Sequence, residues 1–127
     1  MAGKWRLTVT SDFSSAHQLR NYRGKCENMH GHNFGVELCV EGDRLTPDTE
    51  LLVDFKVLKQ ALKQVLDGLD HRHLNEVPPF DRLNPSSENL ARHIYTAVAA
   101  LLADQPVRVV HVSVSEKDSS KATYRED

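Results

Sequence analysis

Cysteine is scarce in this chain, with two in 127 residues. Cys26 lies among histidines and Cys39 in an apolar stretch, so there is no disulfide framework, and the usage fits a reducing compartment. Lys and Arg form no cluster. Sixteen of them stand against 18 Asp and Glu, for a net charge of -2, so nothing suggests a surface for nucleic acid or for an anionic membrane. No apolar run reaches membrane-spanning length, and the opening MAGKWRLTVTSDF alternates like a strand without the apolar centre of a signal peptide. A soluble, cytoplasmic protein with a small-molecule partner is expected. Repeats, low-complexity tracts and interdomain linkers are also missing, and the length suits one domain over residues 1–127 that buries its core without staples.

What is present is strong periodicity. Trp5, Leu7, Val9, Ser11, Phe13, Ser15 and His17 alternate with Arg6, Thr8, Thr10 and Asp12, which predicts a half-buried strand with His17 on its apolar face. His32, Phe34, Val36, Leu38 and Val40 alternate with Asn33, Gly35, Glu37, Cys39 and Glu41 in a second strand. The two are expected to pair across a long loop carrying Cys26, with Cys39 read as core packing. Asp54 is a good N-cap for a helix through Phe55, Leu58, Leu62, Val65 and Leu66 that stops near Gly68. NPSSEN, with Pro85 in the first turn, starts a second helix through Leu90, Ile94, Ala97, Val98, Leu101 and Leu102. In VRVVHVSVSE, the residues Val110, Val112, Val114 and Glu116 share one face, and Ala122 with Tyr124 suggests a short return strand. The expected class is α+β, a four-stranded antiparallel sheet with two helices on one face, in the order ββααββ. Its other face and both edges still need partners, which points to an oligomer.

Four constellations carry possible chemistry. His30 and His32 project from the same side of an extended chain and can share one metal ion, and His17 joins them if the hairpin register allows. Three imidazoles with a vacant fourth position suit catalytic zinc, whereas single histidines are commonly surface or core residues. Cys26 beside such an ion is either an activated thiolate or a fourth, closing ligand, and spacing leaves both open. In LDHRHLN, Asp70 could steady His71 for acid and base work, although a solvated loop explains the same residues. Glu116 on an apolar strand face asks for a ligand or cation, unless the strand end is in solvent.

The segments FSSAH (13–17), CENMHGHNF (26–34), LLVDFKVLK (51–59), LDHRHLN (69–75), NPSSENLA (84–91) and VSVSEKDSSKATY (112–124) resemble the 6-pyruvoyl-tetrahydropterin synthase family almost end to end. They are most similar to its 6-carboxy-tetrahydropterin branch in queuosine biosynthesis. The resemblance implies that His17, His30 and His32 bind zinc, Cys26 accepts a proton, Asp70 and His71 form a relay, and Glu116 grips the pterin. Ser86 and Ser87 match the family's pterin-pocket segment. It also implies the T-fold, whose subunits assemble into barrels, commonly a homohexamer built as a dimer of trimers with active sites between subunits.

Three residues separate Cys26 from His30, as in the carboxy branch, whereas the pyruvoyl-forming enzymes typically have five. The implied reaction converts 7,8-dihydroneopterin triphosphate to 6-carboxy-5,6,7,8-tetrahydropterin, releasing acetaldehyde and triphosphate without a redox cofactor. Glu27 also matches a bacterial subgroup whose glutamate supports side-chain cleavage to a hydroxymethyl pterin for folate synthesis. It is a candidate second base, and a salt bridge to Lys25 or Arg23 is the plainer explanation. The rivals are the pyruvoyl-forming or hydroxymethyl-forming reaction on the same scaffold, and a noncatalytic zinc or pterin-binding module.

Overall fold

A strand that alternates apolar and polar residues buries one face only, and two such strands paired antiparallel make a sheet with one wet side. This is the frame of the computed structural model, which describes residues 3–22 and 28–127. Strand β1 (Trp5–His17) pairs with β2 (His30–Gly42), helices α1 (Phe55–Asp67) and α2 (Ser87–Leu101) follow, and β3 (Arg108–Lys117) and β4 (Ser120–Arg125) complete the sheet. The sheet order is β1-β2-β3-β4, antiparallel throughout, with β1 and β4 at its edges. The expected order ββααββ is therefore the one observed. Cys26 and Glu27 lie outside the described residues.

Helix α1 begins as the sequence predicts, whereas Pro85, expected in the first turn of the second helix, lies just before its cap. Asp54 caps α1 by accepting from the Lys56 N–H at 2.9 Å, and Gly68 closes it. Ser86 caps α2 by accepting from the Asn89 N–H at 3.2 Å. Helix α1 lies over β1, and α2 over β3 and β4. Between helices and sheet sits one apolar cluster that includes Val9, Phe13, Phe34, Leu38, Val40, Leu58, Leu62, Leu90, Ile94 and Val112.

One expectation needs correcting. Val110 does not join the core with Val112 and Val114, because β3 carries a bulge. Cys39 pairs with His111 but Val40 pairs with Val109, so Val110 is the extra residue and Val109 takes the core position. Cys39 is buried yet stands outside that cluster, alternating with Leu38 and Val40 toward the helix-free side. That side is polar and tied across strands. His111 Nε2 and a Glu37 carboxylate oxygen are 3.0 Å apart, Ser113 and Thr123 hydroxyls meet at 2.7 Å, and Glu41 accepts from Arg6 at 3.1 Å and Arg108 at 2.9 Å. That face is thus tied by its own neighbours, and the outer edge of β1 is covered at Ser14 and Ala16 by residues 71–73.

Phe34 links core to site. Its ring stacks on Phe13 at 4.8 Å between centroids and meets His17 and His32 edge-on at 5.1 and 5.8 Å. Phe34→Ala should therefore lower stability by about 3–5 kcal/mol, the usual cost of emptying a buried aromatic position. A shift in the urea unfolding midpoint at constant slope would measure it.

Candidate metal centre

The register of the first hairpin decides where the imidazoles fall. It runs without interruption from Trp5 opposite Gly42 to His17 opposite His30, so the last residue of β1 faces the first residue of β2. His32 follows two residues later on the same side, and β3 delivers Glu116 from beyond β2. His17, His30, His32 and Glu116 each offer a ligand atom, and these atoms lie within 4.8 Å of one another. Strand β2 starts at His30, two residues before the alternation predicted, because the pairing with His17 extends it.

Two of the imidazoles are oriented by backbone carbonyls. His17 Nδ1 lies 2.7 Å from the Pro85 carbonyl oxygen, and His30 Nδ1 lies 2.8 Å from that of Asn28. A carbonyl only accepts, so each Nδ1 carries the proton and each Nε2 of the neutral ring keeps a free lone pair. His17 is fully buried, and its Nε2 has no hydrogen-bond partner. Burial is the main cause that holds the His17 pKa below its ordinary value near 6.5, with Pro85 and Glu116 opposing and His30 and His32 adding to the depression. Neutral imidazole is the metal-binding form, and an orphaned buried nitrogen aimed at two more imidazoles fits a cation. The donor set can hold a metal ion.

The expected Asp70 and His71 pair forms elsewhere, along the outer margin of β1. Asp70 Oδ1 accepts from the Ser14 N–H at 2.8 Å, its Oδ2 lies 2.9 Å from His71 Nδ1, and the His71 N–H donates to the Ser14 carbonyl at 2.6 Å. His71 has a φ of 55°, and this left-handed turn allows neighbours in sequence to face each other. The Ser14 hydrogen bond, followed by the His71 contact, lowers the Asp70 pKa, which keeps the carboxylate charged. His71 is largely exposed and shares an open cavity of about 560 Å³ with His32, Asn33 and Ser14.

Glu116 also lines a second cavity of about 390 Å³ with Ser87, Glu88, Lys117, Ser120, Lys121 and Ala122. Ser87 is thus at that cavity, whereas the Ser86 hydroxyl is engaged as the α2 cap. Several positioning residues were not anticipated. Pro85 and Asn28 act only through carbonyl oxygens. The chain leaving β1 is clamped by Asn75, which pairs with the Gln18 backbone at 2.9 Å on both sides, and by Asn84, which pairs with the Arg20 backbone at 2.8 and 2.9 Å. Arg20 in turn donates to the Phe80 and Leu83 carbonyls at 2.7 and 3.0 Å. The only sequence signal for this clamp is the presence of side-chain amides able to mimic a backbone pair.

A family model described as 6-pyruvoyl tetrahydropterin synthase matches residues 6–127. The chain is 35% identical over 125 residues to the 6-carboxy-5,6,7,8-tetrahydropterin synthase of Synechocystis sp., spanning 94% of this chain and 92% of that one. It is 38% identical over 128 residues to the Bacillus subtilis protein of the same name, spanning 95% and 85%. Among solved structures, the 6-pyruvoyl tetrahydropterin synthase of Caenorhabditis elegans superposes with a TM-score of 0.88 at 26% identity, over 99% of this chain and 98% of that one.

The depressed His17 pKa has a sign. Above pH 6.5 the ring is neutral folded and unfolded. Below it the unfolded chain takes up a proton that the fold resists, so stability falls until the pH passes the lower folded value. His93, likewise depressed by burial, adds in the same direction. Urea midpoints of metal-free protein should fall as pH drops below 6.5, less steeply for His17→Gln and least for a variant that also replaces His93.

Proposed function

Because the chain belongs to the 6-pyruvoyl tetrahydropterin synthase family, we propose that it converts 7,8-dihydroneopterin triphosphate, with uptake of one water molecule, to 6-carboxy-5,6,7,8-tetrahydropterin, releasing acetaldehyde and triphosphate, as a step of queuosine biosynthesis. The observation that carries this reading is the convergence of His17, His30 and His32 beside Glu116, at the rim of a cavity large enough for a planar bicyclic ring. Identity to two relatives bearing the carboxy name, and the short interval between Cys26 and His30, favour that branch over the pyruvoyl one.

His17, His30 and His32 hold zinc in this reading, since three neutral imidazoles suit that ion. Bound there, zinc supplies Lewis acidity toward the two side-chain oxygens of the substrate. The protein does the rest. Glu116 accepts from the amino and ring N–H groups of the pterin, a planar pair of donors that suits two carboxylate oxygens. Ser87, at the start of α2, borders the same cavity and contacts the ring edge. Cys26 takes a proton from the side chain as thiolate. His71 supplies or relays a proton on the opposite side, held in orientation by the charged Asp70.

The dyad opens outward beside an edge strand, and β1 and β4 are the edges of the sheet. Both features suit a homo-oligomer in which neighbouring copies complete each site, with a dimer of trimers as the proposed form. No helix among the described residues is long and apolar enough to cross a membrane.

The test is a turnover assay with 7,8-dihydroneopterin triphosphate and mass detection of every pterin product. The wild type should give the carboxy product with acetaldehyde, while pyruvoyl or hydroxymethyl pterin as the main product would overturn the assignment. His30→Ala should lose zinc and activity together. Cys26→Ala should keep zinc while its rate drops on the order of a hundred- to ten-thousand-fold, the span of general-base contributions. Metal loss equal to that of His30→Ala would make Cys26 a ligand instead. Glu27→Ala tests the second base: an unchanged product profile removes Glu27 from the chemistry.

A further inference from the structure

Glu116 stands in two places at once. One oxygen lies 3.2 Å from His17 Nε2 and the other 3.4 Å from His32 Nε2, while the same side chain borders the cavity shared with Ser87 and Lys121. The contact with His17 is not a hydrogen bond. His17 already gives its Nδ1 proton to the Pro85 carbonyl, so in the neutral ring Nε2 is an acceptor facing a second acceptor. Two lone-pair donors held that close, one of them fully buried, repel each other unless a cation lies between them. Each of these two distances, taken to its own carboxylate oxygen, is close to that between donors sharing one ion, within a donor set that spans up to 4.8 Å. Donors bound at about 2.0–2.1 Å and at the tetrahedral angle lie roughly 3.3–3.4 Å apart.

We propose that Glu116 is an exchangeable fourth ligand, whose carboxylate closes the three-histidine metal site in the resting protein and leaves it when a pterin ring engages the same oxygens. The part concerning the pterin rests on the function proposed above; the part concerning the metal rests on the geometry alone. A carboxylate cannot offer both oxygens to the two N–H donors of a ring edge and still bind the ion in the same pose. Ring recognition therefore opens the coordination position that the substrate's side-chain oxygens need. A molecule without the pterin edge leaves the metal closed, so selectivity for the ring becomes selectivity for activation.

Two measurements separate these parts. In a chelator competition without pterin, Glu116→Gln and Glu116→Ala should bind zinc on the order of ten- to a hundred-fold more weakly than wild type, the loss seen even for groups that only support a ligand. Wild-type affinity in both folded variants, judged by circular dichroism, would overturn the ligand role. In the cobalt(II)-loaded wild type, 6-methylpterin, which carries the ring without side-chain hydroxyls, should change the visible ligand-field band as pterin fluorescence reports binding. The Glu116→Gln protein should show no such change. An unchanged wild-type band with 6-methylpterin bound would overturn the exchange and leave Glu116 a pterin contact. Failure of 6-methylpterin to bind the wild type would overturn the pterin reading and the exchange with it, while the chelator competition still decides whether Glu116 is a ligand.

Discussion

The pairing of His17 with His30 is the contact on which the rest depends. It closes a ladder that begins with Trp5 and Gly42 and runs the whole length of two strands without a break. Side chains alternate along a strand, so a slip of one residue would turn His30 and His32 to the wet face while His17 stayed in the core. What forbids the slip is apolar burial. Phe13 lies opposite Phe34 and Val9 opposite Leu38, and all four are buried. The hydrophobic core thus fixes the register of a polar site, and Phe34 links the two through its contacts with His17 and His32.

Backbone carbonyls do the finer work. Pro85, just before α2, and Asn28, just before β2, each take an Nδ1 proton and thereby aim an Nε2 lone pair. Pro85 is held because the segment 75–84 is stitched to residues 18–20 by Asn75, Asn84 and Arg20. The start of α2, the end of β1 and the loop between helices are therefore tied together around His17. The burial that depresses its pKa is a product of that assembly.

Much of this was legible in the sequence, because the period of two is unambiguous from Trp5 to His17 and from His32 to Glu41. The start of α1 was legible from Asp54 for the same reason that caps exist, a side-chain oxygen for an orphan N–H, and the start of α2 was legible only as lying within NPSSEN. The bulge at Val110 was not, since Val109 and Val110 are the same residue type and either phase buries a valine. The facing of Asp70 and His71 was not, because it needs a positive φ at a histidine, which no local pattern announces. Nor was the amide clamp, which joins residues more than fifty positions apart. Glu116 was placed on the correct face, but its closeness to His17 and His32 depends on β3 lying beside β2, a fact of topology rather than of period.

Every metal-capable histidine sits on the last or first positions of a strand, at the point where the ladder ends and the connecting loop begins. The ladder sets the spacing of the three imidazoles, while Asn28, just before β2, aims one of them. A change at Asn28 would therefore turn the His30 ring, whereas the separation of the imidazoles rests on the strand pairing. The spacing of the donors and the aim of their lone pairs are thus set by separate stretches of sequence, so that either can be altered while the other stands.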